Sequence, residues 1–389
     1  MIVAIPRETF SAEDRIAIVP AAVGDLSKAG HEVIVESDAG LSAGFPNEAF
    51  RDKGARVEPD RDALFSAADI VLQVRAAGAA GESARADFDR MRPGQAVIGF
   101  SEPLIGAEMA RDLAQRGVTA FSMELIPRIT RAQSMDALSS MATVAGYKAV
   151  LIAAATLPRM FPMMMTAAGT LTPARVFIVG AGVAGLQAIA TARRLGGKVQ
   201  AYDVRPAVKE QVESLGAAFV ELPLETASSE DAGGYAKAQD DAFYERQRNM
   251  MAKVVAGSDV VITTALIPGR PAPVLLTTAM IEGMAPGSVV VDLAAERGGN
   301  CEPTQADQTV QHQGITILGP TNLPSTVPYH ASQMYSKNIT TLLLHLVKDG
   351  QLVVDLDDEI TAGTLVSRDG AVVHPRVRGL VGAETGNNG

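Results

Sequence analysis

The chain has 389 residues, 47% hydrophobic and 20% charged, which is material for two packed domains and not the make-up of a disordered protein. A net charge of −10 excludes a nucleic-acid binder, whose surface needs clustered Lys and Arg. The single cysteine, Cys301, excludes a disulfide framework and a thiolate zinc cluster within one chain.

The start, Met1 to Pro6, lacks the basic flank and long apolar core of a signal peptide. The most apolar stretch, 150–168, is broken by Pro158, Arg159 and Pro162, short of the roughly 20 uninterrupted residues of a membrane span. A reducing, cytoplasmic setting with no span is therefore expected. Fifteen methionines stand against no tryptophan, so adaptable thioethers, the Met163-Met164-Met165 run included, are expected to fill the core.

In chain order, β-branched runs alternate with Ala-rich amphipathic stretches, the pattern of βαβ units on a parallel sheet. Strands are predicted near 2–5, 32–36, 70–74, 96–100 and 119–122, with helices between them, such as 20–29, which stops at Gly30. A long helical stretch spans about 134–157. Further strands follow near 175–179, 198–202, 217–220, 260–263, 289–292 and 315–318, and a second long helix near 332–347. Turns at 348–350 and 368–370 give the tail irregular or hairpin structure. The expected fold is α/β: two Rossmann-like, doubly wound parallel-sheet domains joined by long helices. Residues 1–135 with 331–389 form one and 136–330 the other, with ligands expected in the crevice between them, at the carboxyl ends of the strands.

Gly180-Ala-Gly182-Val-Ala-Gly185 follows the strand 175–179 and opens a helix, the context a dinucleotide fingerprint requires. Gly180 permits the tight turn, Gly182 admits the pyrophosphate, and Gly185 lets helix pack on strand. Val183 and Ala184 then offer their N–H groups at the helix start. Asp203 ends the next strand, where a carboxylate accepts from the adenosine ribose and repels a 2′-phosphate; Val204 and Arg205 follow it. NAD(H), not NADP(H), is the expected nucleotide. The segment 225–235 is polar and long for a βα connection, with Gly233-Gly234 before Tyr235. It reads as a surface insertion or as a mobile lid.

The segments Ile5-Pro-Arg-Glu8 and Glu13-Asp-Arg-Ile-Ala-Ile-Val-Pro20, ahead of two Rossmann-like halves, resemble the alanine dehydrogenase and pyridine nucleotide transhydrogenase superfamily. Residues 123–136, 161–169, 204–216, 233–236 and 263–269 narrow the resemblance to the NAD(H)-binding component of proton-translocating transhydrogenase, in its separate soluble form. That resemblance covers essentially the whole chain. It implies hydride exchange between NAD(H) here and NADP(H) on a partner subunit, coupled to proton translocation through membrane-spanning subunits. It further implies a homodimer held peripherally at the inner membrane through its partners. Gln133 would reach both nicotinamides, while Arg128, Asp136 and Ser139, with Ser134 and Met135 between them, hold the carboxamide and ribose. Gly234 and Tyr235 would close over the nucleotide, and Gln247 and Leu266 lie on its adenine and ribose side.

The chemistry of the residues supports half of this. Reducing a small 2-keto or 2-imino acid needs a cationic clamp and a proton donor beside the carbonyl. The alanine dehydrogenase branch uses a lysine and a histidine, but the matching regions here read Gln73-Val-Arg75 and Gly99-Phe-Ser-Glu-Pro103. Arg15 and Arg75 can hold an anion; the one histidine before residue 300, His31, reads as an ordinary surface residue. Nucleotide-to-nucleotide transfer needs no acid or base at carbon. An NAD-dependent amino-acid dehydrogenase is the alternative, and a non-catalytic NAD-binding regulator a third. Asp136 and Ser139 share one face at the start of the long helix, and Ser134 can alternatively be its N-cap. Cys301, His312, His330, His345 and His374 show no ligand spacing and read as structural, with no metal site.

Overall fold

The predicted apolar runs become strands in the computed structural model, which describes residues 1–81, 83–221, 241–266 and 269–386. In chain order the strands are β1 (Ile2–Ile5), β2 (Glu32–Glu36), β3 (Arg56–Glu58), β4 (Ile70–Arg75), β5 (Ala96–Phe100) and β6 (Thr119–Ser122). After the long helix Ala137–Thr156 come β7 (Met164–Thr166), β8 (Gly169–Leu171), β9 (Arg175–Val179), β10 (Lys198–Tyr202) and β11 (Ala218–Phe219). Next are β12 (Val260–Thr263), β13 (Val289–Asp292), β14 (Thr309–His312) and β15 (Ile315–Leu318). The helix Pro328–Leu346 then leads to β16 (Val347–Lys348), β17 (Gln351–Leu352), β18 (Leu365–Arg368) and β19 (Ala371–Val372).

The chain divides into two compact units, Met1–Met141 with Pro324–Gly389, and Ala142–Leu323; one boundary falls inside the helix Ala137–Thr156. The first unit carries an eight-stranded sheet in the order β19-β18-β6-β5-β4-β1-β2-β3. It is parallel from β6 to β3, and β18 joins antiparallel to β6. The tail hairpins turn at Asp349-Gly350 and Asp369-Gly370, all four with positive φ, the backbone that two-residue hairpin turns demand. β1 lies between β4 and β2, so the strand order reverses there, the switch point at which open α/β sheets present their ligand crevice.

The second unit has seven strands, β11-β10-β9-β12-β13-β15-β14, parallel except for β14. Alternate residues face opposite layers. Val176, Ile178, Val260, Ile262, Val289 and Val291 pack with Ala149, Val150 and Ala153 of the long helix and with Ala188 and Ile189 of the helix Val183–Arg194. Phe177, Val179, Val261 and Val290 face Met251, Val255, Ile281 and Met284 on the other side. Strands buried on both faces explain the unbroken apolar runs.

Two expectations are corrected. The run Met163-Met164-Met165 is exposed by 60%, 38% and 79%, because β7 and β8 pair only with each other as a hairpin apart from the sheet. His31 is buried, with neither ring nitrogen hydrogen-bonded among the described residues, and burial lowers its pKa. The helix Ala137–Thr156 is, by length and composition, apolar enough to cross a membrane, the one such helix among the described residues. This helix begins ahead of the 150–168 stretch, and its Ala149, Val150 and Ala153 pack on the second unit's sheet.

Cys301 is fully buried, and burial beside the Asp292 carboxylate pushes its thiol up to about 12. Since the thiolate is the reactive form, a chromogenic disulfide reagent should leave the native protein unlabelled and modify one thiol per chain on unfolding. Fast labelling of the native protein would show that this part of the second unit opens readily.

Candidate functional site

The glycine turn in the second unit joins β9 to the helix Val183–Arg194 within three residues. Gly180 has φ +98, and a Cβ there would lie 2.6 Å from Thr264 Oγ1, so only glycine fits. A Cβ on Gly185 would overlap the Gly180 carbonyl, which is why helix and strand pack so closely. At Gly182 a Cβ would meet nothing nearer than Arg205 Nη2 at 4.0 Å, leaving the space above the turn open for an anion. No side chain caps the helix Val183–Arg194 among the described residues; Val183 is exposed and Ala184 partly so. These groups fit a dinucleotide pyrophosphate.

Asp203 is buried and stitched into this turn. Its carboxylate accepts the Ala181 N–H at 2.7 Å and the Arg205 N–H at 2.9 Å. It also accepts the Arg205 guanidinium through Nε at 2.9 Å and Nη2 at 2.8 Å. Those four donors fill a carboxylate's usual capacity, so accepting from ribose hydroxyls requires Arg205 to release it. Val204 is partly buried. Gln247 is buried beside Tyr202, whose hydroxyl burial pushes up to about 12. Leu266 is 43% exposed at the end of the segment leaving β12.

Sequence reasoning missed the supports of this turn. Thr264 Oγ1 donates to the Gly180 carbonyl at 3.1 Å. Asn300, fully buried, accepts the Ala265 N–H and donates to the Ala265 and Pro273 carbonyls, each at 2.9 Å, and so holds the Leu266 segment. Gly146 lets the long helix touch the backbone of Ala184, whose carbonyl carbon lies 2.8 Å from where a Cβ would stand. A lone glycine within an Ala-rich helix was the available signal.

In the first unit, residues 130–135 form a 3-10 helix whose Ala132 and Met135 are buried while Gln133 and Ser134 are exposed. Its two apolar residues pin the turn and present the Gln133 amide outward; Arg128, just before it, is exposed. Asp136, not Ser134, caps the long helix. Its carboxylate accepts the Ser139 N–H at 2.9 Å and the Ser139 hydroxyl at 2.6 Å. Gly234, Tyr235 and the whole 225–235 segment lie outside the described residues.

The same unit gathers charges where β1 and β4 end. Glu13 takes Arg15 through two 2.6 Å bonds and Arg75 Nε at 3.0 Å, and Arg75 lies over the Phe10 ring at 4.2 Å. Gln73 donates to Asp87. The Glu8 carboxylate accepts the Val74 and Arg75 N–H groups, yet burial and the adjacent Glu13 push it up to about 8. Burial likewise pushes Glu124 up to about 7 against its bond from the Ser122 hydroxyl. Ser101 Oγ is buried without a partner among the described residues. No histidine or lysine joins the groups described here. His312 pairs with Glu282 and His345 with Asp358. His374 is buried, and among the described residues no group of His, Cys, Asp and Glu could hold a metal ion.

Two doubly wound sheets, one with a glycine turn shaped for a pyrophosphate, define the class: an α/β protein of the dinucleotide-binding kind. The family models "Alanine dehydrogenase/PNT, N-terminal domain" and "Alanine dehydrogenase/PNT, C-terminal domain" match residues 4–145 and 149–375, and the chain belongs to this family. It is 46% identical over 382 residues to the first part of NAD(P) transhydrogenase subunit alpha of Rhodospirillum rubrum, covering 97% of this chain and 99% of that one. The crystal structure of transhydrogenase from Sinorhizobium meliloti superposes with a TM-score of 0.83 at 43% identity, over 96% of this chain and 99% of that one. Alanine dehydrogenase of Bacillus subtilis is 28% identical over 399 residues, covering 99% of this chain and 96% of its own. Identity thus favours the transhydrogenase branch over the dehydrogenases.

Two expectations follow from these geometries. Removing Asp203 frees Arg205, the residue type that accommodates a 2′-phosphate. Asp203→Ala should therefore weaken NADH binding and strengthen NADPH binding in fluorescence titrations; unchanged NADPH affinity would leave Arg205 without that role. Glu8 and Glu124 hold protons in the folded state that the unfolded chain releases near pH 4.5. Their contribution is complete below that pH and is lost as pH rises toward about 8. Glu8→Gln should flatten the fall in Tm between about pH 5 and 9, and an equally steep fall would assign the loss elsewhere.

Proposed function

We propose that the chain is the NAD(H)-binding component of a proton-translocating transhydrogenase, exchanging hydride with NADP(H) held by a partner subunit. The observation that carries this reading is the 130–135 turn, buried at Ala132 and Met135 and exposed at Gln133. An amide presented that way can orient a ring but cannot move a proton. NAD(H), when bound, supplies or accepts the hydride at its nicotinamide. Gly180, Gly182, Val183, Ala184 and Gly185 would hold its pyrophosphate, and Asp203 with Val204 and Arg205 its ribose. Arg128, Gln133, Ser134, Asp136 and Ser139 would hold and orient the nicotinamide end.

The charged cluster in the first unit supports the same reading by what it holds. Arg15 and Arg75 are tied to Glu13, and neither imidazole nor amine stands among them to protonate a carbonyl. Two facing nicotinamides need no such group. The alternative, an NAD-dependent amino-acid dehydrogenase, needs both a free clamp and a donor.

The NADP(H)-binding and membrane-spanning subunits would be its partners, attaching it to the cytoplasmic face of the inner membrane, where hydride exchange couples to proton translocation. Met163 and Met165 are exposed on one face of the β7–β8 hairpin and Met164 and Leu171 on the other, apolar groups of the kind a homodimer covers, which supports that assembly.

Mixing the chain with the NADP-binding subunit of such an enzyme tests the proposal. The wild type should transfer hydride between NADH and NADP+, and alanine with NAD+ should yield no NADH. Gln133→Ala should keep NADH affinity within roughly tenfold, since one hydrogen bond contributes only about 0.5–1.5 kcal/mol. Its transfer rate should fall on the order of 100-fold, the effect of a misplacement of about 1 Å. Robust alanine-dependent NADH production would instead favour the dehydrogenase.

A further inference from the structure

The helix Pro328–Leu346 buries a polar face within the first unit, and each polar group on it grips the backbone of a different segment. Ser332 Oγ accepts the Ile16 N–H at 3.0 Å, and Ser336 Oγ accepts the Val19 N–H at 3.1 Å. The Tyr335 hydroxyl donates to the Gln73 carbonyl at 2.8 Å. Asn338, 6% exposed, donates through Nδ2 to the Ser134 carbonyl at 2.9 Å. A carbonyl only accepts, so the amide must turn its NH2 toward Ser134, and this leaves Asn338 Oδ1 buried with no partner among the described residues.

That arrangement is a poor bargain for stability alone. An unpartnered buried acceptor is destabilising, so the one bond to Ser134 is offset by the polar oxygen that Asn338 leaves without a partner among the described residues. The surroundings admit an apolar side chain: Tyr335 and Leu342, one turn either side of Asn338 on the same helix face, are fully buried. A second polar tether on this turn, Arg131 to Asp358 at 3.2 Å, uses an arginine whose side chain is 61% exposed and constrains little. Asn338 is thus the buried tie on the residue that follows Gln133.

We infer that Asn338 is a positioning residue for hydride transfer: its bond to the Ser134 carbonyl sets where the 130–135 turn presents Gln133, and the amide is kept for that placement at a cost in stability. This rests on the functional reading above, in which the turn aligns the nicotinamide.

The test compares full-length wild type, Asn338→Leu and Gln133→Ala in three measurements: Tm, NADH affinity, and hydride transfer with the NADP-binding subunit present. Leucine has the branching and heavy-atom count of asparagine and removes both the tie and the orphaned acceptor. Asn338→Leu should match or exceed the wild-type Tm, keep NADH affinity within about threefold, and transfer hydride at least about tenfold more slowly. Asn338→Ser, too short to reach Ser134 but able to admit water, should behave alike in transfer and serves if the leucine variant does not fold. A role in folding alone would lower Tm while transfer per folded molecule stays at the wild-type rate, and that outcome overturns the inference. Wild-type transfer by Asn338→Leu beside a slow Gln133→Ala also overturns it and leaves the functional reading standing. Wild-type transfer by both variants would remove that reading as well.

Discussion

The left-handed backbone at Gly180 is the constraint on which the nucleotide side of the protein rests. With φ +98 the chain leaves β9 and enters a helix within three residues, and three neighbouring strands close around the turn. The Gly180 N–H donates to the Tyr202 carbonyl at the end of β10, and the Ala181 N–H to Asp203 just beyond it. From the other side Thr264, after β12, donates to the Gly180 carbonyl. A side chain at 180 would collide with Thr264, and one at 185 with the Gly180 carbonyl, so the open space above Gly182 exists only while all three positions lack a Cβ. Asn300 extends the same support to the segment that ends in Leu266.

Charge is neutralised internally wherever the two units concentrate it. Asp203 holds Arg205, and Glu13, its side chain wholly buried, holds both Arg15 and Arg75. A buried pair costs desolvation and is retained for the geometry it fixes more than for stability. The consequence differs between the units. At Asp203 the pair sits against the glycine turn, whose Ala181 N–H the same carboxylate accepts. Around Glu13 it closes the arginines on themselves, and two neighbouring carboxyls, Glu8 and Glu124, stay protonated to near neutral pH because burial outweighs their hydrogen bonds. A cluster so paired is ill suited to clamp a keto acid, which agrees with the greater identity to transhydrogenase subunits than to alanine dehydrogenase.

The helix Pro328–Leu346 shows how a unit made of distant chain segments acquires one geometry. Its serines, tyrosine and asparagine reach the 13–19 segment, the end of β4 and the 130–135 turn by side-chain bonds to backbone. Hydrophobic burial would hold the helix in place with any of several registers. Directional bonds to single N–H and C=O groups select one.

Much of the α/β architecture was legible in the residues themselves. Runs such as Ile2–Ile5, Arg175–Val179 and Val289–Asp292 are strands because β-branched side chains buried on both faces leave a continuous apolar signal. The glycine turn was legible because each glycine answers a local demand. Polar edge strands, Arg56–Glu58 and Thr309–His312, leave no such signal, since their place is set by a neighbour's free edge. Met163–Met165 and His31 read wrongly for the same reason: side-chain type does not say whether a segment stands off the sheet or lies beneath it. Local pattern thus determined by itself the fold class, the apolar strands and the glycine turn. Only the tertiary structure decided that Asp136 caps the long helix, that Arg205 occupies Asp203, and that Asn338 grips Ser134 from 204 residues away. Secondary structure follows from periodicity over a few residues, whereas a hydrogen bond between distant residues exists only once the packing has brought donor to acceptor.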